Sequence, residues 1–282
     1  MQGMKHPVAL FALFLVLAAD SLCAGDLRVG GLILSDSGAP IAGATVTVNG
    51  VSATLDETGR YATTIEAADF YTLAFSAPGH FPMIHSFSAL DFSWRRESEG
   101  VLIPDVTLVE RVEGRVMLAF GGDAMMGRRF ANPPAGEPVL IREGQEAGDT
   151  MALLRHIRPW LELADYTSVN LETQVMAGQP EAKAPKSYTF YSPPEALLAL
   201  HASGVDHVTL GNNHTFDYLG PGLASTLDAL EASGLGWSGA GMTETQSLES
   251  HRVDLSAQPF SFLGYVGWTG NFSPNQVARG TE

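Results

Sequence analysis

The chain has 282 residues, long enough for one large or two ordinary domains, and its content of 45% hydrophobic and 17% charged residues is typical of a globular protein. Its formal net charge of −15 argues against non-specific binding to nucleic acid or anionic lipid, because both require a basic protein surface. An anionic ligand would therefore need a local arginine or a metal ion to hold it.

Residues 1–24 have the layout of a secretory signal peptide. Lys5 precedes the apolar run PVALFALFLVLAA, residues 7–19, which is short for a membrane span and is followed by small residues up to Ala24. We expect cleavage after Ala24 and export to the periplasm, the cell envelope or the extracellular medium.

A lipid anchor at Cys23 is disfavoured, because Leu22 stands directly before it where Gly or Ala is usual. Cys23 is the one cysteine in the sequence, so no intramolecular disulfide can form. An exported chain without disulfides fits a bacterial envelope better than a eukaryotic secreted module.

Residues 28–108 predict an all-β sandwich domain with antiparallel strands. Alternating stretches such as LRVGGLIL, ATVTVNG, RYATTIE and YTLAFSAPG are separated by the turn signals DSGAP and DETG. In this order they resemble the carboxypeptidase regulatory-like (transthyretin-type) β-sandwich family, which implies a non-catalytic spacer or adhesion module. We interpret His80 and His85 as exposed loop or packing residues, since no carboxylate or cysteine flanks them.

From residue 115 onward the pattern changes to strands that alternate with amphipathic helices. This alternation predicts βαβ units and a mainly parallel sheet, and therefore an α/β domain. The predicted elements are a strand at 115–120, a helix at 149–163 that Pro159 ends or kinks, a strand at 166–170, a helix at 193–203, a strand at 207–210, a helix at 222–234 and a strand at 260–266.

Polar side chains follow three successive strands of this predicted sheet. Ligands of open α/β sheets bind outside the carboxyl ends of the strands, so we expect these side chains to converge on one crevice. Oxygen and imidazole ligands from separate strand ends are typical of divalent metal sites, although each of these residues alone could be a turn or cap residue. They are Asp123 and Arg128 after the first strand, Asn170 and Glu172 after the second, and Asn212, Asn213, His214 and Asp217 after the third.

The segments FGGDAMMGR, ADYTSVNLET and SGVDHVTLGNNHTFDYLGPGLASTLDALEASGLGWSGAG resemble the bacterial capsule-synthesis protein family, CapA/PgsA-like, associated with poly-γ-glutamate capsules. The resemblance runs from residue 115 to about residue 270. It implies a calcineurin-like metallophosphatase fold (αββα), in which two mixed sheets lie between helices.

The same resemblance implies roles for particular residues. The suspected divalent metal ions, of unknown identity, would be bound by Asp123, Asn170, Glu172 and Asn213. His214, together with Asn213, would be catalytic, acting on the substrate oxyanion or as a general acid. We interpret Asp217 as a residue that orients His214 or caps the turn. The expected partners are a cell-envelope or capsular polymer and other capsule-synthesis membrane proteins, with no nucleic acid.

The family domain, residues 115–282, is expected to be incomplete at its C-terminus. Family members carry further histidines in later HWG-like and GHHPH-like motifs, which this sequence lacks. We therefore expect a partial metal site, and an unpaired hydrophobic strand at 260–266. The remaining histidines of this region are interpreted as structural residues: His156, His201, His207 and His251.

Two functions remain open from the sequence. The first is an exported metal-dependent hydrolase of an envelope polymer or phosphoester, in which Arg128 binds substrate phosphate or carboxylate. Alternatively, Arg128 has no functional role and only forms a salt bridge at the surface. The second function is a non-catalytic polymer-binding or transport accessory protein, or an inactive fragment.

Overall fold

The computed structural model describes residues 26–97, 100–178 and 182–267. The predicted signal peptide and Cys23 lie outside these residues. Two compact units are present: the first takes in the described chain up to Pro78 and Met83–Val109, and the second takes in Gly79–Pro82 and the described chain from Glu110 onward. Of the helices in these ranges, none combines the length and apolarity that crossing a bilayer requires.

The first unit is built almost entirely of strands. Its elements are β1 (Asp26–Ser35), β2 (Thr45–Val48), β3 (Val51–Ser52), β4 (Thr54–Leu55), β5 (Arg60–Glu66), β6 (Phe70–Ser76), β7 (Met83–Ser88), α1 (Ala89–Trp94), β8 (Arg96–Glu97), β9 (Gly100–Leu102) and β10 (Val106–Leu108).

These strands form two sheets that share one hydrophobic core. One sheet has the order β4-β5-β1-β9-β8, with β10 also paired to β1, and the other has the order β3-β2-β6-β7. Tyr61 of the first sheet and Phe75 of the second meet edge to face with ring centroids 5.8 Å apart. The prediction of purely antiparallel strands is wrong in one respect, because β1 pairs in parallel with β9 and β10.

The second unit alternates strands with helices. Its elements are β11 (Leu118–Ala124), α2 (Glu146–Leu154), α3 (Arg158–Leu161), β12 (Tyr166–Leu171), β13 (Gln174–Val175), β14 (Tyr191–Ser192), α4 (Glu195–Ala202), β15 (His207–Thr209), α5 (Leu219–Ser233), β16 (Gly236–Ser238), α6 (Glu244–Ser247), β17 (His251–Leu255) and β18 (Gln258–Phe262).

The main sheet of this unit has the order β11-β12-β15-β16, and all its pairings are parallel. Val208 of β15, Leu197 of α4 and Leu230 of α5 are fully buried in one core. Parallel strands with helices packed on them confirm the predicted α/β class. The arrangement also places the carboxyl ends of neighbouring strands at one edge of the sheet.

Three predicted elements differ from the structure by more than a few residues at their ends. The first strand begins at Leu118 and runs to Ala124, so Asp123 lies inside the strand and not in the loop after it. The helix expected at 149–163 is two helices, because Pro159 lies in the first turn of α3, where its missing N–H is harmless.

The last predicted strand, residues 260–266, was also placed incorrectly. The structure instead has β18, which pairs antiparallel with β17 in a separate two-stranded sheet. The expectation of an unpaired hydrophobic strand at 260–266 is therefore wrong, because a hairpin partner precedes it in the chain.

Candidate functional site at the carboxyl ends of the strands

A chain of side-chain amides connects three neighbouring strand ends. Asn170 Nδ2 donates to Asp123 Oδ1 at 2.7 Å, and Asn212 Nδ2 donates to Asn170 Oδ1 at 2.9 Å. Asn212 Nδ2 also donates to the Leu171 carbonyl at 2.9 Å, while Asn212 Oδ1 accepts from the His214 backbone N–H at 2.9 Å. The polar residues near the ends of β11 and β12 and in the loop after β15 thus converge, as expected for strand ends of an open α/β sheet.

An irregularity in β11 places Asp123 beside Asn170. The register between β11 and β12 shifts between Phe120 and Asp123, where Gly121 and Gly122 stand. A Cβ on Gly121 would lie 2.8 Å from the Val169 side chain, so glycine permits close approach of the two strands here. None of Gly121, Gly122 and Gly211 has a positive φ.

Glu172 adds a second carboxylate beside Asp123. Its pKa is raised, first by partial burial and then by the negative charge of Asp123, against the smaller opposing effects of His214 and Lys186. Two carboxylates that repel each other in this way favour a cation between them. Asp123 itself is exposed, so a ligand can reach this pair from solvent.

His214 is only 7% exposed, and its ring contacts Asp217, Phe190 and the ammonium of Lys186, which lies 3.1 Å from Nδ1. Its Nδ1 lies 2.8 Å from Asp217 Oδ2, and its ring stacks on Phe190 with centroids 4.0 Å apart and 12° between the planes. When Nδ1–H donates to Asp217, the Nε2 lone pair is left on the other side of the ring. That nitrogen lies 3.9 Å from Glu172 Oε1, so it faces the carboxylate pair.

A buried ion pair supports this histidine. Asp217 is fully buried and its Oδ1 pairs with the ammonium of Lys186, whose side chain is 9% exposed. Asp217 Oδ2 also accepts from the Phe190 N–H at 2.5 Å, and Lys186 Nζ donates to the Asn213 carbonyl at 2.9 Å. These hydrogen bonds offset the cost of burying two charges, and they fix Asp217 in the predicted orienting position beside His214.

Two of the predicted site residues take less central positions. Asn213 contributes its backbone carbonyl to Lys186, while its neighbour Asn212 provides the amide that joins the strand ends. Arg128 is exposed, and its guanidinium lies over the rings of Tyr188 and Phe190.

The sequence analysis omitted Lys186 and Phe190 from the candidate site, and it gave the amide role to Asn213 instead of Asn212. Asn212 and Asn213 are adjacent amides, and only the backbone of the turn decides which one points to β12. Lys186 and Phe190 precede β14 in a stretch without helix or strand periodicity, so no pattern connected them with His214.

The other histidines of this unit occupy structural surroundings. His207 is buried, with Nδ1 2.8 Å from Ser168 Oγ and Nε2 3.2 Å from Ser238 Oγ. Burial, with a smaller contribution from the charge of His251, lowers the pKa of His207 to about 4. His251 Nε2 lies 2.9 Å from the Tyr166 hydroxyl.

The described residues contain no group of three or more His, Cys, Asp or Glu side chains that could hold a metal ion. The only metal ligands that Asp123 and Glu172 offer are their carboxylate oxygens. Such a pair fits the manner in which Mg²⁺ binds to many enzymes, through one or two carboxylates completed by water and substrate phosphate. It does not fit a site in which the protein supplies every ligand.

Comparisons with known proteins agree with the family resemblance. The family model described as bacterial capsule synthesis protein PGA_cap matches residues 117–281. The capsule biosynthesis protein CapA of Bacillus anthracis is 28% identical over 151 residues, which are 53% of this chain and 33% of that protein. The chain thus matches about a third of the length of that relative.

Among solved structures, an N-terminal interface mutant of a type II cohesin–X-dockerin complex from Acetivibrio cellulolyticus matches with a TM-score of 0.23 and 19% identity, over 30% of this chain and 58% of that one. A C-terminal interface mutant of the same type of complex matches with a TM-score of 0.22 and 20% identity, over 29% and 56%. Scores this low carry no argument about the fold.

Proposed function

Since the chain belongs to the bacterial capsule synthesis protein family, we propose that it is an exported protein that takes part in the synthesis of a poly-γ-glutamate-type capsule. Its α/β domain would act on a cell-envelope polymer or phosphoester by metal-assisted chemistry. The observation that carries this proposal is the connected cluster of Asp123, Asn170, Asn212 and His214 at three strand ends. A metallophosphatase-like fold of the α/β domain is part of the proposal.

The proposal also covers export of the chain and the role of the first unit. The signal-peptide pattern of residues 1–24 supports export to the periplasm or cell envelope. Membership of a capsule synthesis family supports an envelope polymer as the partner, together with other membrane proteins of capsule synthesis. The β-rich first unit, with its carboxypeptidase regulatory-like sequence, would act as a spacer that presents the second unit to the polymer.

Each side chain of the cluster has a distinct role in this chemistry. Asp123 and Glu172, with the Asn170 and Asn213 amides as further ligands, would hold a divalent ion, which when bound polarises the scissile bond. His214 Nε2 would hold or transfer a proton at the substrate oxygen. Asp217 fixes the opposite nitrogen of the same ring.

A hydrolysis assay tests the proposal. The full chain is incubated with bis(p-nitrophenyl) phosphate and Mn²⁺ or Mg²⁺, and release of p-nitrophenol is followed. We expect Asp123→Asn and His214→Gln each to lower kcat/KM by about 100-fold or more, the usual effect of removing a metal ligand or an acid–base group. Asp228→Asn, on the exposed face of α5, removes the same charge away from the cluster and should leave the rate unchanged. A rate that is insensitive to Asp123→Asn and His214→Gln would refute this mechanism.

A non-catalytic, polymer-binding function is the second candidate. It is favoured by one observation: the described part of the chain offers no group of three metal-binding side chains of the types considered above. This candidate predicts polymer binding that persists in EDTA, with no hydrolysis under any metal condition. The assay above therefore separates the two candidates.

A further inference from the structure

Arg128 stands on an aromatic platform that leads directly to His214. Its guanidinium carbon lies 4.7 Å from the Tyr188 ring centroid and 5.5 Å from the Phe190 ring centroid. Phe190 in turn stacks on His214 at 4.0 Å. One aromatic ring therefore separates the cation from the imidazole, and Tyr188 is 59% exposed beside it.

The backbone around this platform holds Arg128 in an unusual conformation. Its φ is +48°, a region that non-glycine residues seldom adopt and that is associated with functional sites. The preceding Gly127 approaches the Tyr191 carbonyl so closely that a Cβ would collide with it. Met126 N–H donates to Ser192 Oγ at 3.0 Å, so the segment that carries Arg128 is joined to the β14 region, which Tyr188 and Phe190 immediately precede.

The charges around the platform point to the kind of ligand it accepts. The carboxylates described near His214 are Asp123, Glu172 and Asp217, and the whole chain has a net charge of −15. Among the described residues, no carboxylate forms an ion pair with Arg128. A guanidinium stacked on aromatic rings keeps its N–H donors in its own plane, where they match the two oxygens of a carboxylate or phosphate.

We propose that Arg128, Tyr188 and Phe190 form an anion-binding subsite beside His214, which holds a carboxylate or phosphate group of a chain-like substrate apart from the group that reacts. This inference rests on the proposed function for the location of the reacting group. It adds the Tyr188 and Phe190 platform to the role of Arg128, and it locates the bound carboxylate or phosphate beside the His214 ring.

The test is a calorimetric binding titration of the full chain, which is first stripped of metal with EDTA and then dialysed into chelator-free buffer, so that neither a metal ion nor the carboxylates of EDTA contribute. Hexaglutamate provides the carboxylate probe, tripolyphosphate the phosphate probe, and maltohexaose a neutral chain. We expect one of the two anions to bind and the neutral sugar not to bind. The tighter of the two anions identifies which source of negative charge the subsite prefers.

Substitutions locate the binding. Arg128→Gln should weaken anion binding about tenfold or more, the effect of losing a charge-assisted pair of hydrogen bonds. Arg128→Lys should also weaken it, because lysine lacks the planar fork, and Tyr188→Ala should weaken it by removing an exposed ring. Arg129→Gln is the matched control, since it removes the same charge one residue away, and it should change the affinity by less than about twofold.

Equal weakening by Arg128→Gln and Arg129→Gln would overturn the subsite, as would a failure of both anions to bind. Tyr188→Ala keeps the test valid if the Arg128 variants do not fold, because Tyr188 is largely exposed. A chain that binds anions through Arg128 but hydrolyses nothing would contradict the proposed catalysis and leave the subsite intact.

Discussion

At the scale of residues, the Lys186–Asp217 pair decides whether His214 keeps its position. Both charges are buried, and Asp217 contacts the imidazole, the Phe190 N–H and the ammonium. Removing one partner of such a pair leaves an unpaired buried charge, which is far more costly than losing an exposed pair. His214 therefore depends on a lysine that lies far from it in the sequence.

Substitution of Lys186 tests this dependence. We expect Lys186→Met to lower the free energy of unfolding in urea by about 3–5 kcal/mol, because the buried Asp217 carboxyl loses its ion-pair partner. The double variant Lys186→Met with Asp217→Asn should recover part of that loss. Arg158→Met breaks the exposed Arg158–Glu162 pair and should cost about 1 kcal/mol or less. Equal costs for Lys186→Met and Arg158→Met would contradict the importance of the buried pair.

His207 makes stability depend on pH. Its pKa is about 4 in the folded protein, below the ordinary value of 6.5, so only the unfolded chain takes up this proton between those values. Stability should fall as the pH is lowered from about 6.5 to about 4, by at most about 3 kcal/mol, and then show no further change from this group.

Urea unfolding at several pH values measures this effect. His207→Asn should flatten the dependence, although part of it remains because burial also lowers the pKa of His251. His156→Asn, at an exposed position, serves as the control and should keep the dependence of the unsubstituted chain. An unchanged slope in His207→Asn would show that another group is responsible.

The residues of the site could be predicted only in part. Asp123, Asn170 and His214 were found because each stands at or directly after an apolar strand, and parallel strands end at one edge of a sheet. The choice between Asn212 and Asn213 depends on the direction of two adjacent side chains in a turn. Lys186 was missed because only the tertiary fold brings it to Asp217.

At the scale of elements, α5 holds the third loop against the sheet through its buried face. Leu230 is fully buried in the core that also contains Val208 of β15. We expect Leu230→Ala to lower the free energy of unfolding by about 2–5 kcal/mol, the cost of lost burial and of a cavity. Leu198→Ala, at a 54% exposed position of α4, should cost about 0.5 kcal/mol or less. A cost for Leu230→Ala no greater than that for Leu198→Ala would contradict this packing.

Element type was more predictable from the sequence than element bounds. The alternation of apolar strands and amphipathic helices identified an α/β unit, because the spacing of apolar residues differs between strands and helices and can be read directly from the sequence. The extension of β11 through Gly121 and Gly122 was not predicted, because glycine weakens the interior of a strand. Here Gly121 instead allows close approach to Val169. Hairpin pairing of β18 with β17 depends on long-range geometry that periodicity does not encode.

At the scale of the whole molecule, the two units differ in what the sequence says about them. The second carries the family match over residues 117–281 and all the candidate site residues. The first has a shared core between two sheets, and its carboxypeptidase regulatory-like identity stays a prediction. The high net negative charge makes a bound cation, or Arg128, a condition for holding an anionic polymer near the strand ends.

Binding of Mn²⁺ tests the central claim most directly, because it needs no substrate. The full chain is titrated with Mn²⁺, and the free ion is measured by electron paramagnetic resonance. We predict saturable binding that weakens about tenfold or more in Asp123→Asn and in Glu172→Gln, and that is unchanged in the control Asp228→Asn. Binding equally tight in all four proteins, or none in the unsubstituted chain, would contradict a metal site at these strand ends.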